Sequence, residues 1–289
     1  MVALRRELGP IQDILLMDAR ALAVDGHYRA ALERCLTLRR FARHLSEDPE
    51  LYIYMTSFDT LHLIVVRDVL GIMPPDAEIL TWFRGQFAVV PGLRLSYAET
   101  LQRRVKRFLN RMRTTPKSLR YYKNLAIKEA ESEQAKENIR NLTDEQFLAR
   151  ACEGLARFLD SMFRVLDSEM IYEQKLVQMN GLFNEKMKGD NTDPVVKNMI
   201  SMVGRIDRNY SSLVEHTAYV NGIKAAVEVY LALANAGQLP EKLPDHLPKD
   251  PFTGRDFIYE ITDEGFALRC QGKDFLNRKY RLLEFKVKK

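Results

Sequence analysis

The segment from Leu101 to Lys128, LQRRVKRFLNRMRTTPKSLRYYKNLAIK, is where residue type and spacing most clearly suggest chemistry. It holds ten lysines and arginines and no acidic residue. Because the segment carries +10 and the whole chain +5, the other residues sum to −5. A cationic face can bind the phosphates of nucleic acid or of anionic lipid headgroups, and Tyr121 and Tyr122 could stack on bases.

The candidate anion-binding side chains of this segment are Arg103, Arg104, Lys106, Arg107, Arg111, Arg113, Lys117, Arg120 and Lys123. The same pattern also fits a solvated helix surface. In that case the apolar stripe of Val105, Phe108, Leu109 and Met112 packs inward and the cations pair with acids elsewhere. No sequence motif of a nucleic-acid-binding fold accompanies the segment. Both interpretations stay open at this point.

Side chains that could catalyse a reaction are scattered along the chain. The five histidines share no metal-ligand spacing and form no HExxH motif: they are His27, His44, His62, His216 and His246. The chain also lacks the GxSxG, GxxxxGK[ST] and GxGxxG motifs. An enzyme needs a nucleophile, a base and charge-stabilising groups that converge in one pocket. The sequence therefore predicts a protein that is not an enzyme and has no cofactor.

The three cysteines, Cys35, Cys152 and Cys270, lie far apart and outside any CxxC or Cys/His cluster. Neither a disulfide framework nor a zinc site fits this spacing. Free cysteine packs like a small apolar residue. We expect three free thiols.

The sequence DPFTG, from Asp250 to Gly254, is predicted to be a structural turn. Pro251 moves Asp250 out of helical backbone angles, and the aspartate side chain can accept backbone amides two residues further on, as in an Asx-turn. Phe252 is then free to pack under the sheet, and Gly254 suits a left-handed backbone position. On this reading, Asp250→Asn should be mild because an amide oxygen can accept the same hydrogen bonds.

Helical periodicity sets most of the elements that position these residues. A hairpin around Gly26 joins Ile11–Val24, with Ile11, Ile14, Leu15 and Leu22 at helical spacing, to Tyr28–Leu45. Capping signals and breaks then predict the following helices: SEDPE to about Leu70, Asp76 to Val90, Ser96 to Met112, Ser118 into the 130s, the capping box Thr143–Gln146 into the 180s, and Val195 to Ala236 before Gly237.

The chain changes character after Gly237. A proline-rich connector leads to three alternating segments that predict strands: Asp256–Ile261, Gly265–Cys270 and Lys279–Val287. Three strands are too few to be stable alone, so the sheet is expected to lie against the preceding helix. The prolines hold the connector in an extended path that loses little entropy on folding.

The order of elements from Ala225 to Leu268, a helix ending in glycine, an LP dipeptide and a DP-aromatic-glycine turn before a short sheet, resembles the carboxy-terminal half of type II secretion pseudopilin G-type proteins. The whole chain resembles a large family of bacterial envelope proteins with an amino-terminal membrane anchor, a helical body and this ending. In that family an early alanine-rich hairpin recurs, matched by Ala19 to Leu38.

The resemblance implies an exported, membrane-tethered protein whose anchor is absent from this chain, with no known catalytic residues. The start, MVALRRELGP, lacks the apolar core of a signal peptide, so the protein is either cytoplasmic or has lost an export segment before Met1. Pseudopilins of this type bind calcium beside the final sheet. Here Gly272 and Asp274 are separated by a lysine and the second acid-glycine pair is missing, so we predict no metal.

Together these observations predict a mainly α-helical protein, with a helical body over residues 1–190 and a pseudopilin-like unit of long helix, connector and small antiparallel sheet over residues 191–289. The predicted function is a non-enzymatic structural or protein-interaction module of the cell envelope. The alternative is a binder of nucleic acid or anionic surfaces through residues 101–128.

Overall fold

The structure is a computed structural model that describes residues 2–90, 93, 96–188, 192–203, 206–274 and 279–287, without the side chains of residues 2–7, 202 and 203. These residues are mainly helical, with a small antiparallel sheet near the carboxyl end, as predicted. The helices are α1 (Val2–Val24), α2 (Tyr28–Leu45), α3 (Tyr52–Ile72), α4 (Ala77–Val89), α5 (Tyr97–Thr114), α6 (Pro116–Glu129), α7 (Glu133–Arg140), α8 (Asp144–Asp167), α9 (Tyr172–Lys188), α10 (Pro194–Val203) and α11 (Ile206–Ala236). The strands are β1 (Ile258–Thr262), β2 (Gly265–Lys273) and β3 (Tyr280–Lys286).

The hairpin of α1 and α2 turns at Gly26, whose φ of +82° lies in the left-handed region that favours glycine. Ala19, Ala23 and Ala31 are buried beside this turn. Their short side chains let the two helices approach closely. The predicted hairpin is confirmed, with α2 bounded by Tyr28 and Leu45 as expected.

The sixth predicted helix is interrupted where we expected it to continue into the 130s. It ends at Glu129, and α7 begins after Ser132, whose hydroxyl oxygen accepts a hydrogen bond from the Ala135 amide at 3.1 Å. Because Ser132 has extended backbone angles, it acts as an N-cap that starts a new helix.

The seventh predicted helix starts correctly but is also divided. The Thr143 hydroxyl accepts from the Gln146 amide at 3.1 Å, and the Gln146 side chain accepts from the Thr143 amide at 2.9 Å, so the predicted capping box is confirmed. However, Ser168 adopts extended angles and ends α8, and α9 begins at Tyr172. A serine that can bond to the preceding carbonyl, as Ser168 does to Val165, competes with the helix.

The segment predicted as one helix from Val195 to Ala236 contains α10 and α11, and residues 204 and 205 lie outside the described residues. At its end the Gly237 amide donates to the Leu233 carbonyl at 2.8 Å, and Gly237 has φ +72°. The predicted left-handed helix stop is therefore confirmed.

The sheet has the order β1-β2-β3, with both pairs antiparallel and a register irregularity between Arg269 and Lys273. Its inner face packs on α11: the Tyr230 ring lies 5.3 Å from that of Phe266, which stacks on Phe285 at 5.0 Å. The Tyr230 hydroxyl donates to the Lys286 carbonyl. The sheet thus rests on the preceding helix, as its small size requires.

The chain divides into two compact units, residues 1–96 with 210–289 (unit 1) and residues 97–209 (unit 2). The boundaries of these two units differ from the predicted domain boundary at residue 190. The physical reason lies in unit 1, where α3 contacts both α11 and β3: the Asp59 side chain contacts His216, and the backbone at Gly71 lies against Lys286. The first helices and the terminal sheet therefore share one core.

Candidate functional site

Unit 1 contains a buried ionic centre made of Arg39 on α2, Asp59 and His62 on α3, and His216 on α11. Each of the four is at most 4% exposed. Asp59 Oδ2 lies 3.1 Å from Arg39 Nη1 and 2.6 Å from His216 Nε2, and Asp59 Oδ1 lies 3.1 Å from His62 Nδ1. The carboxylate is the common partner of the other three groups.

Burial dominates the electrostatics of this centre. It lowers the pKa of Arg39, against the attraction of Asp59, and it lowers the pKa of His62. Burial alone would raise the pKa of Asp59, but the interactions of its carboxylate with His62 first, and then with His216 and Arg39, hold it well below its usual range. The centre therefore holds an Asp59–Arg39 ion pair with a neutral His62 at neutral pH.

The sequence reading missed this centre. Asp59 and His62 are three residues apart on the most apolar helix of the first half, and polar residues on such a helix are a signal of buried partners. An aspartate that holds a histidine resembles the base-and-orienter pair of hydrolases. However, the centre is closed to solvent, and the Arg39 guanidinium already pairs with the Asp59 carboxylate. We therefore interpret the centre as a structural element of the fold.

The DPFTG turn is built around the buried Asp250 carboxylate. Its Oδ1 accepts from the Phe252 amide at 2.9 Å, which is the Asx-turn geometry, and Gly254 has φ +72°. Its Oδ2 accepts from the Thr253 hydroxyl at 2.9 Å and from the Gln271 and Gly272 amides of β2 at 2.8 and 3.2 Å. The turn is thus fixed to the sheet through one side chain.

This geometry overturns the expectation that Asp250→Asn would be mild. Both carboxylate oxygens accept hydrogen bonds, so in either orientation an amide NH₂ would face a backbone N–H. Phe252 is 2% exposed. The pKa of the Cys270 thiol is raised, mainly by burial and secondly by the negative charge of Asp250. Asp250 serves as an acceptor hub for backbone donors.

The acid of the candidate calcium segment lies beside an arginine. Arg281 Nη2 is 3.7 Å from Asp274 Oδ2 and 2.5 Å from Glu215 Oε1 on α11. Asp274 is buried, and its amide donates to the Lys279 carbonyl at 2.9 Å. A guanidinium therefore supplies positive charge to these two carboxylates in this chain.

The basic segment folds into α5 and α6 of unit 2. Val105 and Met112 are buried and Phe108 and Leu109 partly buried, so the predicted apolar stripe faces inward. Among the predicted anion-binding side chains, Arg104 and Lys123 are half-buried and the rest are exposed: Arg103, Lys106, Arg107, Arg111, Arg113, Lys117 and Arg120.

The exposed cations of α5 form a row. Arg103, Arg107 and Arg111 are four residues apart, which places them on one helix face about 6 Å from each other along the axis. On α6 the Tyr121 ring is 60% exposed. It contacts Tyr122 at 5.2 Å, and Tyr122 contacts Phe108 of α5 at 5.0 Å, so a chain of three rings joins the two helices.

Lys123 and Arg113 are among the cations of the segment that already have protein partners. Lys123 donates to the Leu142 carbonyl and lies 3.9 Å from Asp144. Arg113 Nη2 donates to Cys152 Sγ at 3.7 Å. The segment is therefore neither wholly a free cationic face nor wholly neutralised.

One face of α1 in unit 1 is apolar and exposed. Ile11, Ile14, Met17 and Val24 are 49, 66, 68 and 78% exposed. Ile11 and Ile14, which lie at helical spacing in the sequence, therefore belong to the exposed face of α1 and not to its packed face. The buried row is Gln12, Leu16, Ala19 and Ala23. The polar Gln12 interrupts the apolar pattern of this row in the sequence, and it can be buried because its side chain donates to the Phe58 carbonyl at 3.3 Å.

A groove runs between α5 and α8 in unit 2, here called the α5–α8 groove. It consists of two cavities, about 490 and 430 Å³, that share Arg113 and Cys152 in their walls. Apolar and small side chains line it: Val105, Leu109, Leu119, Leu148, Ala149, Ala156, Leu159 and Phe163. Cys152 is the one cysteine of the three that is not fully buried.

Comparisons with protein-family models, curated proteins and solved structures found no match to this chain. In the part of the chain that the structure describes, no helix is long and apolar enough to cross a membrane. The same residues hold no cluster of three or more histidine, cysteine, aspartate or glutamate side chains suited to a metal ion. The envelope-family resemblance remains a prediction.

Proposed function

We propose that this protein is a non-enzymatic interaction module that docks onto a protein partner in the cell envelope. The observation that supports docking is the exposed apolar face of α1, formed by Ile11, Ile14, Met17 and Val24. Single apolar residues on a surface are ordinary, but several large ones on one helix face mark an interaction site.

The arrangement of α1 explains why this face does not serve the fold. Ala19 and Ala23 on the opposite side are 0 and 2% exposed. With Gln12 and Leu16 they form the buried row through which α1 contacts the rest of unit 1. The outer face therefore gains nothing from folding, whereas covering it would remove apolar area from water at about 25 cal/mol per Å².

Site-specific photo-cross-linking in the producing cell tests the docking surface. A benzophenone amino acid at Met17 should cross-link to one discrete protein, and the same group at exposed Lys242 of the connector should not. Ile14→Glu with Val24→Glu should abolish the Met17 product. These two changes should shift the free energy of unfolding by only about 0.5 kcal/mol, since both positions are exposed. Equal products from Met17 and Lys242 would contradict the proposal.

The envelope location rests on the resemblance of residues 225–268 to pseudopilin endings. Cell fractionation of the natural gene product tests it. A membrane-associated or periplasmic product supports the location, as does an apolar span encoded upstream of Met1. A product found wholly in the cytosol would contradict the envelope location. The proposed docking surface on α1 could still be tested.

A second candidate function is binding of single-stranded nucleic acid by α5 and α6. The specific observation is the exposed Tyr121 ring on a face that also carries Lys117, together with the arginine row of α5. Exposed rings stack on bases of any sequence, and cations follow the phosphates. An oligothymidylate is therefore the suitable probe.

Charge reversal separates this function from nonspecific attraction. The triple variant R111E, K117E, R120E should lose oligothymidylate binding and its salt dependence. The control R29E, K242E, R255E makes the same change of six charge units in unit 1 and should keep both. Equal loss of oligothymidylate binding in the two variants would show that binding depends only on the net charge of the protein. Binding to anionic vesicles but not to oligothymidylate would exclude nucleic acid as the partner.

A further inference from the structure

The α5–α8 groove has the length of a helix. The α8 residues that line it extend from Asp144 to Phe163. With a rise of about 1.5 Å per residue, this is about 28 Å, or about five helical turns. The two cavities share Arg113 and Cys152, and the contact of Arg113 Nη2 with Cys152 Sγ at 3.7 Å crosses between them, so a helix that fills both halves has to displace the Arg113 side chain.

The floor of the groove suits an apolar helix face. Ala149, Cys152 and Ala156 follow one another at spacings of three and four on α8, so they lie on one face of that helix. Their side chains are small and leave room for larger ones. Leu109 and Phe163 are only partly covered at the far end. Large side chains of an incoming helix would find apolar contacts along this row.

The two rims of the groove carry opposite charge. The charged residues on the α5 side are Lys106 and Arg113, and those on the α8 side are Asp144, Glu145 and Asp160. Asp160 now lies 2.7 Å from Arg164 Nη2 in a pair that is 62% and 80% exposed. Exposed pairs of this kind contribute about 0–1 kcal/mol, so an incoming cation can replace them at small cost.

We propose that the α5–α8 groove binds an amphipathic helix of a protein partner that carries acidic residues along one edge and basic residues along the other. The acidic edge lies against Lys106 and Arg113, and the basic edge lies against Asp160 and the acids at the start of α8. Turning such a helix end for end exchanges its two edges. The opposite rims therefore admit the helix in one direction only.

The native residue Cys152 can report occupancy of the groove through the rate at which its thiol reacts. Its thiol lies in the groove floor, while Cys35 and Cys270 are buried in unit 1. The probe is a synthetic amphipathic peptide of about 18 residues with leucines along one face, glutamates along one edge and lysines along the other. When it is bound, labelling of Cys152 by a maleimide should slow about tenfold or more.

Two control peptides and two variants decide the outcome. Peptides with the same leucine face but only glutamates, or only lysines, on both edges should bind about tenfold more weakly. Ala156→Arg fills the floor and should weaken binding of the split-charge peptide about tenfold, whereas Gln178→Arg on exposed α9 should not change it. Equal binding of all three peptides would overturn the charge selection. Unprotected Cys152, or an Ala156→Arg protein that binds normally, would overturn the helix site.

This result is independent of the α1 docking surface. The peptide assay uses purified protein, and none of its variants touches α1. Absence of a discrete Met17 cross-link in the otherwise unchanged protein, with intact peptide binding, would contradict the function proposed for α1 alone. Intact cross-linking without Cys152 protection would contradict the helix groove alone.

Discussion

The ionic centre of unit 1 and the α5–α8 groove of unit 2 use similar residue types for different ends. Both place arginine beside aspartate along packed helices. In the ionic centre Arg39 and Asp59 are 3% and 1% exposed at the side chain, whereas Arg164 and Asp160 at the groove are 80% and 62% exposed. When one member of a buried ion pair is removed, the remaining charge is left without a partner and the fold is strongly destabilised. Exposed ionisable groups contribute little to stability and are available to a partner protein.

The largest expected effect comes from breaking the buried side of this comparison. Asp59→Asn leaves the buried Arg39 guanidinium without its counter-charge, which should lower the free energy of unfolding by about 3–5 kcal/mol. The matched change on the exposed side, Asp160→Asn, should cost about 1 kcal/mol or less. Urea unfolding measures both. Similar losses for the two variants would show that burial does not separate the two regions.

Phe252→Ala tests the packing of unit 1 beneath the sheet. The ring is 2% exposed, so its removal should cost about 3–5 kcal/mol. Tyr121→Ala is the control in unit 2. That ring is 60% exposed, so the loss should stay near 0.5 kcal/mol. A small loss at Phe252 in urea unfolding would mean that the turn is not anchored by its ring.

Asp250→Asn sharpens the role of the turn. One amide NH₂ would face backbone donors that the carboxylate now accepts, so the free energy of unfolding should fall by about 1–3 kcal/mol. Asp263→Asn, in the exposed β1–β2 turn, should change it by about 0.5 kcal/mol or less. Added calcium should not alter the melting temperature of either protein. A calcium-dependent rise that Asp250→Asn abolishes would identify a metal site instead.

The smallest expected effect is a pH dependence from His62. Its pKa is lowered in the folded state because burial penalises the cation. Below about pH 6.5 the unfolded chain therefore binds a proton at His62 that the folded chain does not. Stability should fall as the pH drops below that value, by at most about 1.4 kcal/mol per pH unit from this group.

His62→Gln isolates this contribution. The variant should flatten the stability profile just below about pH 6.5, measured by urea unfolding at each pH. The depressed pKa of Asp59 adds a further loss of stability below about pH 3.9, which the variant should show to a smaller extent because His62 is the main group that lowers this pKa. Unchanged slopes at both ends would show that His62 does not titrate differently on folding.

Local signals predicted much of the fold. The Thr143–Gln146 capping box, the glycine stop at Gly237 and the short turn between β1 and β2 act over a few residues, so sequence alone reveals them. The helix breaks at Ser132 and Ser168 were missed. Serine occurs both as a cap and inside helices, and only its backbone angles separate the two uses.

The sites were harder to predict because they depend on contacts between distant residues. Asp59 and His216 are 157 residues apart, and nothing local indicates that they meet. The Asx-turn at Asp250 is local, but the bonds of the same carboxylate to β2 are not. Likewise, the basic residues of α5 were visible in the sequence, whereas the groove appears only when α8 packs beside them.

The rates at which the three cysteines react in the native protein test the comparison most directly. Cys35 is 0% exposed and burial raises the pKa of its thiol to about 12, Cys270 is likewise buried, and Cys152 lies in the open groove. With excess maleimide, mass spectrometry of peptides should show Cys152 labelled about a hundredfold or more faster than the other two, which should react only as unit 1 unfolds. Labelling of Cys35 or Cys270 at the rate of Cys152 would contradict a core of unit 1 that is closed to solvent and a groove of unit 2 that is open to it.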